Sequence, residues 1–125
     1  MAIEVRPLGA PLGAEILGVD ISKPIDEATF GHIHAAWLEH LVLLFRDVDW
    51  TPEAHIAFTR RFGATHIMDP MSANLPGHPE IYVISNVVRD GKPLGIKRAG
   101  WGWHSDGEEK EVPNKGSLIH ALKIP

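Results

Sequence analysis

The apolar positions fall into short runs set between turn residues, with two helical stretches among them. Residues 3–7 and 14–17 are brief apolar stretches separated by Gly9, Pro11 and Gly13, which predicts two short strands joined by a turn. From Asp26 to His40 the spacing changes. Phe30, Ile33, His34, Trp37, Leu38 and Leu41 repeat at helical intervals and predict one buried stripe, with Asp26 as the N-cap. Gly31 weakens that helix by about 1 kcal/mol relative to Ala. Residues 41–45 are continuously apolar, as in a strand buried on both faces.

A second helix is predicted from Thr51 as N-cap and Pro52 at its first position, with Ala54, Ala57, Phe58 and Phe62 on its apolar side. Trp50, just ahead of the cap, has the position of a hydrophobic staple, and Gly63 is placed to end the helix in the left-handed conformation. Beyond it, 65–79 reads as a loop, 81–85 as a strand, and 88–102 as a second loop whose Asp90-Gly91 pair predicts a tight turn. Residues 117–124 alternate as a last strand. The fold class implied is α+β, with two helices flanking short strands.

Length and composition narrow the function. At 125 residues the chain is one domain's worth, against a prior of roughly 100–200 residues per domain. Apolar residues at 44% exclude a disordered chain. Twelve Lys and Arg against sixteen Asp and Glu give a net charge of −4, which leaves no basic excess for nucleic acid. Without cysteine there is no disulfide, thiolate metal site or cysteine nucleophile. No apolar run reaches the ~18 residues that suggest a membrane span, and residues 1–6 do not read as a signal peptide. A cytoplasmic protein acting on a small molecule is expected.

The strongest chemical signal is Trp101-Gly102-Trp103-His104-Ser105-Asp106-Gly107. In extended chain, residues two apart face the same side, so an imidazole nitrogen of His104 and a carboxylate oxygen of Asp106 can take adjacent corners of one metal ion. Such a pair is two-thirds of the facial triad of two His and one carboxylate that holds Fe(II). By itself His-x-Asp is a weak signal, since such a spacing is more often a surface pair in which the imidazole donates to the carboxylate.

The wider pattern resembles the N-terminal half of the taurine dioxygenase/2,4-dichlorophenoxyacetate dioxygenase family. The matching pieces run in order: Pro7-Leu8-Gly9, Gly13-Ala14-Glu15-Ile16, Gly18-Val19-Asp20-Ile21, then Leu43-Leu44-Phe45-Arg46-Asp47 and Thr51-Pro52. They continue with Arg61-Phe62-Gly63, Ile84-Ser85-Asn86-Val87, Asp90-Gly91-Lys92-Pro93, Trp103-His104-Ser105-Asp106, Pro113 and Gly116-Ser117-Leu118. The resemblance implies a double-stranded β-helix (jelly-roll, cupin-like) of which residues 1–125 supply the N-terminal part, with an incomplete core. It implies Fe(II) as metal, 2-oxoglutarate as cosubstrate, and His104 and Asp106 as the first two iron ligands. The family's distal His, its cosubstrate-binding Arg and a cosubstrate-contacting Thr fall beyond Pro125, so no cosubstrate-binding residue and no general base is assigned within the chain.

Several residues are candidates for the substrate side on the same resemblance. His66 lies in the loop where relatives place substrate contacts, and Asn86 and Trp101 belong to the loop system around the metal pair. Positions at which the taurine enzyme presents His, Tyr and Asn fall on Met68, Met71 and Gly100, which disfavours taurine and suits an apolar or aromatic carboxylate better. Trp103 is expected to pack beneath the ligands. Trp37 and His34 are expected in the core, His78 in a loop, and His120 on the last strand rather than at the metal.

Two functions compete: a dioxygenase hydroxylating a small organic substrate, carboxylate or sulfonate, when complete, and a non-catalytic remnant serving as an interaction or weak metal-binding module. Either way the 117–124 edge should pair with another chain, in a homo-oligomer or with a partner that supplies the missing half, or leave a partly unfolded monomer.

Overall fold

The computed structural model describes residues 3–67, 73–97, 99–108 and 110–124, in two compact units, Met1–Gly63 and Ala64–Pro125. In the first unit β1 (Glu4–Pro7) pairs antiparallel with β2 (Ala14–Leu17), Val5 opposite Ile16. β3 (Leu43–Leu44) lies parallel on the other side of β2. A parallel neighbour requires a crossover, and α1 (Glu27–His40) supplies it. Alternation on β2 is clean. Ala14 and Ile16 are buried, while Glu15 on the opposite face accepts from Arg46 Nε at 2.8 Å.

Both helix starts are as the sequence predicts. The Asp26 carboxylate accepts from the Thr29 amide at 2.7 Å, and Thr51 Oγ1 from the Ala54 amide at 3.2 Å ahead of α2 (Pro52–Arg60). The Trp50 ring stacks on His55 at 4.6 Å, as a staple between N′ and N4 should. Phe30, His34 and Trp37 all make ring contacts with Phe62, so an aromatic cluster joins the two helices.

The buried faces are rotated from the predicted ones. On α1 the inward residues are Ile33 and Ala36, and Leu38 is 63% exposed. Leu41 is also exposed because it lies past the helix. It has φ 67° and ψ −32°, and the Val42 amide donates to the His40 carbonyl at 2.8 Å, a γ-turn that swings the chain into β3. The expected 41–45 strand is thereby reduced to two half-buried residues at a sheet edge. On α2, Ile56 and Phe58 are buried while Ala57 faces outward. The end of α2 is not a left-handed glycine, since Gly63 has φ 149°. Instead the amides of Arg61, Phe62 and Gly63 donate to carbonyls three residues back, a tightened last turn that satisfies the free carbonyls.

The second unit is built of small hairpins. β4 (Asn74–Leu75) and β5 (His78–Tyr82) pair across Pro76-Gly77, so the stretch expected to be loop to residue 79 contains strand, and His78 is a strand residue. The strand expected at 81–85 begins earlier and stops at Tyr82. From there the chain changes partner: Ser85 donates to the Ile96 carbonyl, and Ile96 to that of Val83. β6 (Val88–Arg89) and β7 (Lys92–Pro93) form a hairpin inside the expected 88–102 loop. Its turn is Asp90-Gly91, both at positive φ, as a primed hairpin turn demands.

Residues 117–124 are not a strand. No neighbouring strand among the described residues takes up their backbone groups, and Ile119, Leu122 and Ile124 are exposed. The α+β class holds, without a closed barrel among the described residues. No helix among them is long and apolar enough to cross a membrane.

Candidate metal-binding site

The Trp101–Gly107 stretch is not a strand: Gly102 and Trp103 form a bend and a turn begins at Asp106. It nevertheless brings the two expected donors together. His104 Nε2 lies 3.4 Å from Asp106 Oδ1, and both side chains are about half exposed. Three contacts fix this arrangement. His104 Nδ1 is 2.8 Å from the Gly102 carbonyl oxygen; a carbonyl only accepts, so Nδ1 carries a proton, and Nε2 is the nitrogen that can ligate when the ring is neutral. The Ser117 hydroxyl donates to Asp106 Oδ2 at 2.8 Å, leaving Oδ1 towards the imidazole. The Glu108 carboxylate accepts from both the amide and the hydroxyl of Ser105, between the two donors.

Electrostatics at the pair favour positive charge. The Gly102 carbonyl, with the Asp106 and Glu108 carboxylates behind it, holds the His104 imidazole above its ordinary pKa, against a smaller opposing desolvation. A cation bound between Nε2 and Oδ1 would meet the same field. The separation of 3.4 Å can be bridged by two metal–ligand bonds of about 2 Å each. The residues present therefore fit two positions of a metal site, with nitrogen and carboxylate donors suited to Fe(II). Among the described residues no group of three or more His, Cys, Asp or Glu side chains is placed to hold a metal.

The other candidates are placed less tightly. Gly100 adjoins the pair: a Cβ there would stand 3.6 Å from His104 Cε1, with open space otherwise. Trp101 is 76% exposed, and His66 and Asn86 are also exposed. Met68 and Met71 lie outside the described residues. Trp103 does not pack beneath the ligands but is fully exposed, in the bend that precedes His104. Sequence reasoning missed both Ser117 and Glu108: the Ser117 contact spans eleven residues and depends on a return of the chain that no local pattern announces, whereas the Ser105–Glu108 contact is local and its Ser-x-x-Glu spacing was a usable signal.

Comparison with known proteins agrees with the motif order. Residues 4–125 match the family described as taurine catabolism dioxygenase TauD, TfdA. Pentalenolactone F synthase of Streptomyces arenae is 35% identical over 127 residues, covering 98% of this chain and 42% of that protein. The (S)-phenoxypropionate/alpha-ketoglutarate-dioxygenase of Delftia acidovorans is 31% identical over 134 residues, covering 98% of this chain and 43% of that one. The crystal structure of a taurine dioxygenase from Burkholderia xenovorans superposes with a TM-score of 0.63 at 39% identity, over 70% of this chain and 31% of that one. The chain thus spans about two-fifths of the length of these curated relatives. With nearly its whole length matched, the chain belongs to the taurine catabolism dioxygenase TauD, TfdA family.

Proposed function

We propose that the chain is the N-terminal part of an Fe(II)- and 2-oxoglutarate-dependent dioxygenase whose complete form hydroxylates a small organic substrate, with His104 and Asp106 as two of its iron ligands. One observation carries the reading: Nε2 of His104 and Oδ1 of Asp106 are 3.4 Å apart, with Nδ1 engaged by the Gly102 carbonyl. Fe(II) with 2-oxoglutarate and dioxygen would supply the oxidising chemistry, one oxygen atom of dioxygen converting C–H into C–OH and the other entering succinate as 2-oxoglutarate loses carbon dioxide. The chain's own part is positional. The Gly102 carbonyl keeps the proton on Nδ1, so that Nε2 is free to ligate. Asp106 would bring one negative charge to the dication held there. Gly100 keeps the approach to His104 open, and Trp101 offers an apolar surface beside it.

The third protein ligand and the rest of a jelly-roll core come, on this reading, from polypeptide outside the described residues, in the same protein or in a partner chain. The substrates named for the relatives range from a phenoxypropionate to taurine. Met68, Met71 and Gly100 stand where the taurine enzyme presents polar side chains, and the thioethers suit the apolar body of a substrate, so an apolar or aromatic carboxylate fits better than taurine.

Anaerobic titration with Fe(II) tests the pair. Saturable binding that disappears in both H104A and D106A is the expected result. Equal binding by all three proteins, or none by any, would overturn the assignment. The chain alone should form no succinate from 2-oxoglutarate, because two protein ligands leave the facial set incomplete.

A further inference from the structure

Ser117 stands eleven residues beyond Asp106, outside the His-x-Asp motif, yet its hydroxyl is directed at the carboxylate. The Ser117 Oγ to Asp106 Oδ2 distance is 2.8 Å, with the hydroxyl donating. The other oxygen, Oδ1, is the one facing His104 Nε2 at 3.4 Å. The two carboxylate oxygens thus have different partners.

An ionised carboxylate only accepts, and offers about four lone-pair sites over its two oxygens. Left alone beside a dication, it can bind through either oxygen or both, and its terminal torsion is broad and nearly two-fold. A hydroxyl donor on Oδ2 removes that freedom. It fixes the plane of the carboxylate and occupies the oxygen that would close a bidentate contact. Asp106 itself is exposed, and although Gly107 beside it is buried against Asn114, that backbone packing leaves the carboxylate torsion unset. The neighbouring Glu108 does not substitute, because it accepts from Ser105 and has no donor to offer Asp106. Among the described residues the Ser117 hydroxyl and the His104 ring are the side chains in hydrogen-bond or ion-pair contact with Asp106.

We propose that Ser117 is a positioning residue that holds Asp106 as a one-oxygen ligand, donating to Oδ2 so that Oδ1 alone is presented to the metal beside His104. This rests on the reading of His104 and Asp106 as a metal pair. Partners of this kind set ligand geometry in metal sites, and losing one typically weakens affinity by about 10- to 100-fold.

The test is calorimetric titration of the chain with Co(II), as an air-stable divalent probe, carried into the millimolar range. It compares the parent protein with S117A, S117T, H104A and D106A, and circular dichroism and a urea midpoint are recorded for each. S117A should weaken Co(II) binding by roughly ten-fold with the spectrum and midpoint unchanged, since Ser117 is exposed. S117T, which keeps the hydroxyl, should restore most of the affinity. H104A and D106A should abolish binding. If H104A and D106A lose binding while S117A matches the parent, the Ser117 proposal is wrong and the metal pair stands. Equal weakening by S117A and S117T would also overturn it, by showing that the hydroxyl is not what matters. Binding that survives H104A and D106A, or is absent from the parent, would overturn the metal pair and the Ser117 proposal with it.

Discussion

The guanidinium carbon of Arg61 lies 4.3 Å from the centroid of the Phe30 ring. From there Nη1 donates to the Ile25 carbonyl at 2.6 Å and Nη2 to Glu27 Oε1. One planar group therefore ties the end of α2 to the start of α1, satisfying a loop carbonyl while stacking on the aromatic cluster. The Glu27 contact adds little, since that carboxylate is almost fully exposed. The carbonyl bond and the ring contact should matter more.

Arg61→Ala should lower stability by about 2 kcal/mol, the sum of one charged hydrogen bond and one half-buried cation–π contact. Arg61→Lys should recover less than half of that. An ammonium cannot stack on Phe30 and reach the Ile25 carbonyl in the same geometry. Urea unfolding of both variants is the measurement, and a lysine variant as stable as the parent would refute the planar-fork explanation.

The γ-turn at Leu41 makes the opposite prediction. Its backbone sits at φ 67° with the side chain 62% exposed, so a Cβ is strained there and little packing is lost by removing it. The left-handed penalty is about 1–2 kcal/mol for a residue with a Cβ, and glycine's extra unfolded-state freedom returns roughly 0.4–1 kcal/mol of that. Leu41→Gly should therefore stabilise the first unit slightly, read as a higher urea midpoint at an unchanged slope.

The same residue shows where sequence legibility ends. Strand pairing of residues 4–7 with 14–17, both helix N-caps, the Trp50 staple and the Asp90-Gly91 turn all follow from chemistry local to a few residues, and all are present. Leu41 fits the helical stripe of α1 by spacing, but its conformation is set by the need to enter β3 beside β2. Ile119 and Leu122 fit an alternating strand, but a strand needs a neighbour, and nothing within 117–124 encodes one. At the candidate site the motif predicts that His104 and Asp106 share a side; the Ser117 bond that orients the carboxylate comes from tertiary return of the chain.

Acid should release a small charge-assisted cluster near the start of the first unit. Lys23 Nζ is 2.7 Å from Asp20 Oδ2, and the Ser22 hydroxyl and amide both donate to Oδ1. The Lys23 contact first, and the Ser22 donors after it, push the Asp20 pKa down from 3.8 to about 2. A carboxyl whose folded value is depressed stabilises the fold above its unfolded value, and that contribution fades as pH falls from about 3.8 towards 2. Carbon-13 titration of the Asp20 carboxyl should show the low midpoint, and Lys23→Ala should move it back upward. An unchanged midpoint in that variant would assign the shift to Ser22 instead.

Gly95 is the position in the second unit where a methyl group should be least tolerated. A Cβ built there would overlap the Val83 carbonyl oxygen and crowd the Val83 side chain. That carbonyl is not free to move, because it accepts the Ile96 amide at 3.0 Å. Ile96 in turn accepts from Ser85 at 3.1 Å, so the clash falls on the paired backbone that follows β5. Forcing one extra carbon into such a contact costs about 1–3 kcal/mol, and here it must also lengthen the Ile96 bond or break it. Gly95→Ala should therefore speed amide exchange at Ser85 and Ile96 while leaving the amides of α1 and α2 protected as before. Gly91→Ala serves as the contrast. Its Cβ would meet nothing within 4 Å, so its cost is confined to the positive φ of 74°, and it should loosen the β6–β7 turn without affecting Ile96. Equal exchange at Ile96 in the parent and in Gly95→Ala would show that the close approach at Val83 is relieved by a small shift of the backbone and does not constrain the residue.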